Sequence, residues 1–149
     1  MRSIALDDLL QREHPGASFH DASIEGYYFD ARSRSLELYV QVAFYGPAGG
    51  KPRHVPGVLT FSGVFSFHVE APGSGGSTQL SDGLWLTAEG PVESLPEKDR
   101  TVPALLSAPA RAFHHYLYFS DLNAFMFIAA LDAEFAWREV ANQRRGGAV

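Results

Sequence analysis

Leu36, Leu38, Val40, Val42 and Phe44 fall on one parity of a continuous stretch, with Glu37, Tyr39, Gln41, Ala43 and Tyr45 on the other. Leu59, Phe61, Gly63, Phe65, Phe67 and Val69 repeat the pattern. A side-chain period of two is what a sheet with one buried face requires. The chain is therefore committed to β-structure over much of its length. Eleven Phe and six Tyr favour strands further.

Six strands are predicted. The first runs from Ser18 to Asp30, with Ile24, Gly26 and Tyr28 on one parity and Ser23, Glu25, Tyr27 and Phe29 on the other. A polar turn, Asp30 to Ser35, leads into the second strand, Leu36 to Tyr45, as a hairpin. A loop with Pro47, Pro52 and Pro56 precedes the third strand, Val58 to Glu70, in which Gly63 marks a bulge or a bend. Pro72 to Ser77 is a Gly/Ser turn, and Leu84 to Glu89 is the fourth strand. Pro91 to Pro109 holds four prolines and reads as an irregular excursion with one helical turn at 104–107. Arg111 to Phe119 is apolar on both parities, as a centrally buried strand is. After the turn Ser120 to Asn123, the odd positions Phe125 to Trp137 are apolar or aromatic, giving a long strand interrupted near Asp132. A helix is the competing assignment there, but it would put Phe125 and Asp132 on one face.

At the N-terminus, Ser3 to Glu13 reads as a short helix capped by Ser3, with Asp7 and Asp8 near its positive end and a stripe of Leu6, Leu9 and Leu10. His14, Pro15 and Gly16 stop it. The expected fold is a single mainly β domain over residues 1–142, α+β at the margin. Its six or so antiparallel strands form a curled sheet or small sandwich, and residues 143–149 are a frayed polar tail.

The net charge of −5 and the scattered basic residues argue against nucleic acid and anionic membranes, since phosphate binding needs a basic face. The absence of cysteine excludes disulfides, thiolate zinc sites and a cysteine nucleophile. The first residues lack the apolar core of a secretory signal, and no apolar run reaches the roughly 18 residues of a membrane span. A cytoplasmic location is expected.

Residues able to carry chemistry are few. His20-Asp21 invites a metal-phosphohydrolase reading, but that chemistry needs further His and Asp ligands. The alternative is structural: Asp21 bonds backbone groups, or pairs with a His or Arg, at the strand entrance while His20 packs or hydrogen-bonds. His114 and His115 point to opposite faces of a strand and cannot easily share one metal. No Gly-x-Ser-x-Gly elbow supports a serine hydrolase. Gly73 to Ser77 has no Lys-Ser/Thr ending to make it a phosphate cradle. Tyr27, Tyr39, Tyr45, Trp85, Tyr116 and Tyr118 form either a binding surface or a second layer of packing. Candidate binding residues are His20, Asp21, His115 and Tyr116, with no catalytic residue, metal ligand or cofactor assigned.

Phe-His-Asp-Ala-x-Ile at 19–24, followed by Leu-Thr-Phe-Ser-Gly-Val-Phe-Ser-Phe at 59–67, resembles a group of small β-rich bacterial proteins. These open on a Leu/Phe-His-Asp-Ser/Ala strand and carry a later Phe-x-Gly-Val-x-x-Phe segment. Some look like immunity proteins of bacterial toxin systems. The resemblance covers the first half of the chain and, loosely, Tyr116 to Ala130, and it implies no catalytic residues. The expected function is a non-enzymatic protein-binding module whose partner is a toxin or a second copy of the chain. The alternative is a small metal-dependent or small-ligand-binding enzyme using His20, Asp21 and one of His114 or His115.

Overall fold

A computed structural model describes residues 3–11, 14–46, 49–70, 84–100 and 108–138. The Gly/Ser turn, the turn at 104–107 and the tail at 143–149 lie outside the described residues. The fold is mainly β, as its alternating sequence requires. One short helix, α1 (Leu6–Gln11), precedes nine strands among the described residues. These are β1 (Ala17–Asp30), β2 (Ser35–Phe44), β3 (Arg53–Ser62), β4 (Ser66–Val69), β5 (Leu84–Trp85), β6 (Ala88–Pro91), β7 (Phe113–Phe119), β8 (Ala124–Ala130) and β9 (Asp132–Trp137). One sheet has the order β5-β1-β2-β3-β9 and the other β4-β8-β7-β6, and all pairings are antiparallel.

Six predicted strands become nine because three of them change sheets partway. The third divides at Gly63, which takes φ +60. The last divides at Leu131, one residue before the expected interruption. Both breaks belong to one corner: Leu131 N donates to Ser62 O at 3.0 Å, and Phe65 N donates to Ala129 O at 2.8 Å. A Cβ on Gly63 would lie 2.8 Å from Leu131 Cδ1, so the corner is closed by a residue without a side chain. The fourth predicted strand also crosses. Leu84 pairs with Ile24 in one sheet, and Ala88 pairs with Tyr118 in the other.

The interior lies between the sheets. Leu36, Leu38, Val40 and Val42 from β2 meet Leu59 and Phe61 from β3, and Phe113, Leu117 and Phe119 from β7. Leu6 and Leu10 of α1 seal one end. The helix is shorter than expected, beginning at Leu6 rather than near Ser3, and it gains its place from this packing. A second cluster, Val92, Leu95, Phe127 and Ala129, covers the far face of the four-stranded sheet. It explains why β7 and β8 are apolar on both parities.

Two readings of the strands need correction. Glu25 is an extra residue between Ile24, opposite Val40, and Gly26, opposite Tyr39. This bulge moves Tyr27 and Phe29 onto the side of Ile24, and Tyr28 onto the opposite side, so the expected parity fails beyond it. The third strand also starts at Arg53, five residues earlier than predicted, and includes Pro56. Proline is tolerated there because its nitrogen faces the side on which β9 ends; its carbonyl accepts from Arg138 N at 3.0 Å. Next to it, Gly57 admits the Phe135 ring, whose Cζ would lie 2.2 Å from a Cβ.

Candidate functional site

The entrance of β1 is irregular for a physical reason. Between Ser18, opposite Ala43, and Ser23, opposite Gln41, the strand bulges away from β2. Asp21 sits in this bulge at φ 63, the left-handed region that only Gly, Asn and Asp visit readily. Its backbone N–H donates to Leu86 O at 3.2 Å, and Leu86 N–H donates to Ala22 O at 2.8 Å. The crossing segment after β5 therefore holds the bulge in place.

The Asp21 carboxylate accepts a hydrogen bond from Tyr45 Oη at 2.5 Å and lies 3.2 Å from His20 Nδ1. The Tyr45 hydroxyl, opposed by partial burial and assisted by His20 and His54, holds the pKa of this carboxyl below the usual carboxylate range. In return the Tyr45 phenol is pushed up by the same bond. Asp21 thus pairs with a histidine as expected, with Tyr45 as an unforeseen second partner. The backbone donor at the strand entrance is met by another residue: Phe19 N donates to Asp7 Oδ1 at 2.8 Å, and Ser18 Oγ donates to Asp7 Oδ2 at 3.1 Å. Asp7, read from sequence as a helix-dipole residue, ties α1 to β1.

His20 and Asp7 also line a cleft of about 310 Å³, completed by Leu86, Thr87, Ala88 and Glu89. On its far wall the Glu89 carboxylate is hydrogen-bonded to Nε2 of His115, which is 1% exposed. His115 Nδ1 has no partner among the described residues. The cleft therefore brings His20 toward the Glu89–His115 pair, and Glu89 is a site residue that the sequence did not single out. Its only signal was a carboxylate on an otherwise apolar crossing strand.

His114 and His115 do point to opposite sides. His114 pairs across to Ala129 of the outer cluster, and His115 to Ile128 of the main core. Burial pushes the His114 imidazole below its ordinary value, partly offset by Glu93. Tyr116 is separated from the cleft. It packs against Phe125 at 5.9 Å and belongs with the Val92–Leu95 cluster. Among the described residues, no three His, Asp or Glu side chains are grouped to hold a metal ion.

The tyrosines and Trp85 divide among three surfaces. Tyr116 and Tyr118 stand on the four-stranded sheet, the Tyr118 ring tilted against Phe125 with centres 4.8 Å apart. Tyr27 flanks the gap between the sheets, 5.2 Å from Phe67. Tyr28, Tyr39, Tyr45 and Trp85 share the outer face of the five-stranded sheet, where Trp85 meets His54 at 5.6 Å. The large aromatic residues left exposed are Tyr27, Tyr28, Phe29, Tyr45 and Trp85; Tyr28, Tyr45 and Trp85 stand on the outer face of the five-stranded sheet, and Tyr27 and Phe29 on the other side of β1, beside Phe67.

No family model and no curated protein matches the sequence. A solved structure of an uncharacterized protein from Neisseria gonorrhoeae is similar, with 12% sequence identity over 80% of this chain and 93% of that one, at a TM-score of 0.47. Among the described residues, no helix is long and apolar enough to cross a membrane.

Proposed function

We propose that this protein is a non-enzymatic binding module acting in the bacterial cytoplasm, and that its ligand is another protein. The observation that carries this reading is the exposure of Tyr28, Tyr45 and Trp85 together on the outer face of the five-stranded sheet. Each exposes a third or more of its surface, and together they line consecutive strands. Solvent-exposed aromatic groups gathered on one side are costly to leave in water and are the side chains that dominate protein interfaces. The resemblance of residues 19–24 and 59–67 to immunity-protein-like sequences supports a toxin as the partner.

The test is site-specific photo-crosslinking in the native host. A photoreactive residue at position 28 or 85 is expected to give one discrete adduct, absent when the residue is placed at Ser94, in the 3₁₀ turn that follows β6 of the other sheet. Adducts from neither position, with the protein expressed and folded, would overturn the binding reading.

The cleft between His20 and Glu89 favours a second reading, a small-ligand site. Its volume is at the low end for ligand pockets. Thermal shift with small amines and carboxylates tests it: a saturable rise in Tm, lost on Glu89→Gln, supports a ligand site, and no rise with either class removes it.

A further inference from the structure

The outer face of the five-stranded sheet is crossed by no other element among the described residues. Its rows follow from the register. Tyr28, Glu37, Thr60 and Glu134 are successive neighbours across four strands. Gly26, Tyr39, Val58 and Ala136 form the next row, and Gln41 and Pro56 lie beyond, beside Glu25 of the bulge. The far end carries His54, Trp85, Tyr45 and Asp21. At ~3.3 Å per residue, the run from Glu37 to Tyr45 makes this face about 25 Å long.

Carboxylates dominate it. Among the described residues that these strands place on the face, Asp21, Glu25, Glu37 and Glu134 stand against one cation, Arg138. Two other arginines point elsewhere: Arg34 lies over Phe65, and Arg53 over Phe44. The acidic groups are interleaved with rings. Tyr39 Oη donates to Glu37 Oε2 at 2.7 Å, and Tyr45 Oη donates to Asp21. A ring beside a carboxylate is a good seat for a cation, because the quadrupole of the ring and the charge of the acid attract it together. The face shows this once with its own residue. The Arg138 guanidinium lies 5.4 Å from the centre of the Tyr39 ring, with Nη1 3.8 Å from Glu25 Oε2.

We infer that this face is the docking surface and that its partner presents a lysine- and arginine-rich protein surface, whose cations seat against Tyr28, Tyr39, Tyr45 and Trp85 and pair with Asp21, Glu25, Glu37 and Glu134. This rests on the binding reading above and adds the face and the chemistry of the partner. Charge complementarity of this kind speeds encounter and makes the complex sensitive to salt.

An oligolysine peptide is the probe, titrated into the isotope-labelled full chain and followed by NMR. Resonances of Glu25, Tyr28, Glu37, Tyr39 and Glu134 should shift, and binding should weaken about tenfold between ~0.05 and ~0.5 M salt. Glu25→Gln/Glu37→Gln, which keeps the hydrogen-bond acceptors, should weaken binding about fivefold, and Glu93→Gln, in the 3₁₀ turn after β6, should not. Shifts confined to Asp7–Asp8 or Glu93–Asp99, or no shifts at low salt, would overturn the assignment. If they do so while the host crosslink at position 28 persists, the protein is still a binding module and only the cationic partner is wrong. If the peptide maps to the face and no host adduct forms at either position, the module reading falls instead.

Discussion

Asp21 combines a left-handed backbone with a carboxylate held by Tyr45 and His20. Asp21→Ala loses both partners and keeps a conformation that alanine tolerates poorly, so it should destabilise the fold by about 1–2 kcal/mol. Asp21→Gly loses the same partners but relieves the backbone, and should cost less. Glu97→Ala, on an exposed 3₁₀ turn, should change nothing. Urea denaturation of the three variants checks the order, and equal midpoints for Asp21→Ala and Asp21→Gly would show that the backbone term is absent. A second prediction concerns Glu89. Its removal leaves His115 buried with neither ring nitrogen hydrogen-bonded, a loss of about 1–3 kcal/mol. Glu89→Ala should therefore lower the denaturation midpoint more than Glu93→Ala, whose side chain is exposed. The Asp21 pairing was partly legible, because a His-Asp dipeptide opening an alternating strand announces a polar knot. Tyr45 and Glu89 were not, since they lie 24 and 26 residues from their partners and meet them only when the sheets form.

The corner made by β3, β4, β8 and β9 depends on Gly63. Gly63→Ala imposes a left-handed conformation on a residue with a Cβ and drives that atom against Leu131. The expected cost is about 1–3 kcal/mol, read as a fall in the denaturation midpoint. Gly63→Asn tolerates the backbone but not the crowding, and a midpoint as high as wild type for Asn would assign the whole effect to φ. The first part of the proline-rich excursion, Pro91 to Arg100, also holds more regular structure than its composition predicts. Val92–Ser94 and Glu97–Asp99 are 3₁₀ turns, and Arg100 clamps them by donating to Leu95 O and Glu93 O, each at 2.6 Å. Weak periodicity there reflected backbone held by a side chain rather than by a ladder.

Over the whole molecule, pH acts on the side of the four-stranded sheet away from the main core. Burial favours neutral His114, so its folded value lies below the ordinary imidazole value of 6.5. The unfolded chain then binds the proton first. Stability from this group is complete above about pH 6.5 and is lost as pH falls through the lower folded value. Tm should decline on acidification from pH 7.5 to pH 5, and less steeply in His114→Phe. Parallel profiles for the two proteins would mean that His114 contributes nothing to the acid limb.

What the sequence by itself determined is the class of fold: alternation at 36–45 and 59–69, double-sided apolar runs at 111–119, and turn residues at 30–35 and 120–123 are local properties of the chain. They specify that strands form and which side chains are apolar on each face. The tertiary structure decided where those strands change sheets, which bulge reverses parity at Glu25, and which aromatic side chains remain uncovered. These depend on contacts between residues far apart in sequence, such as Gly63 with Leu131 and Leu86 with Asp21. A one-dimensional pattern of burial does not contain the closure of one sheet onto another, because the same alternation satisfies a flat sheet and a folded one equally well.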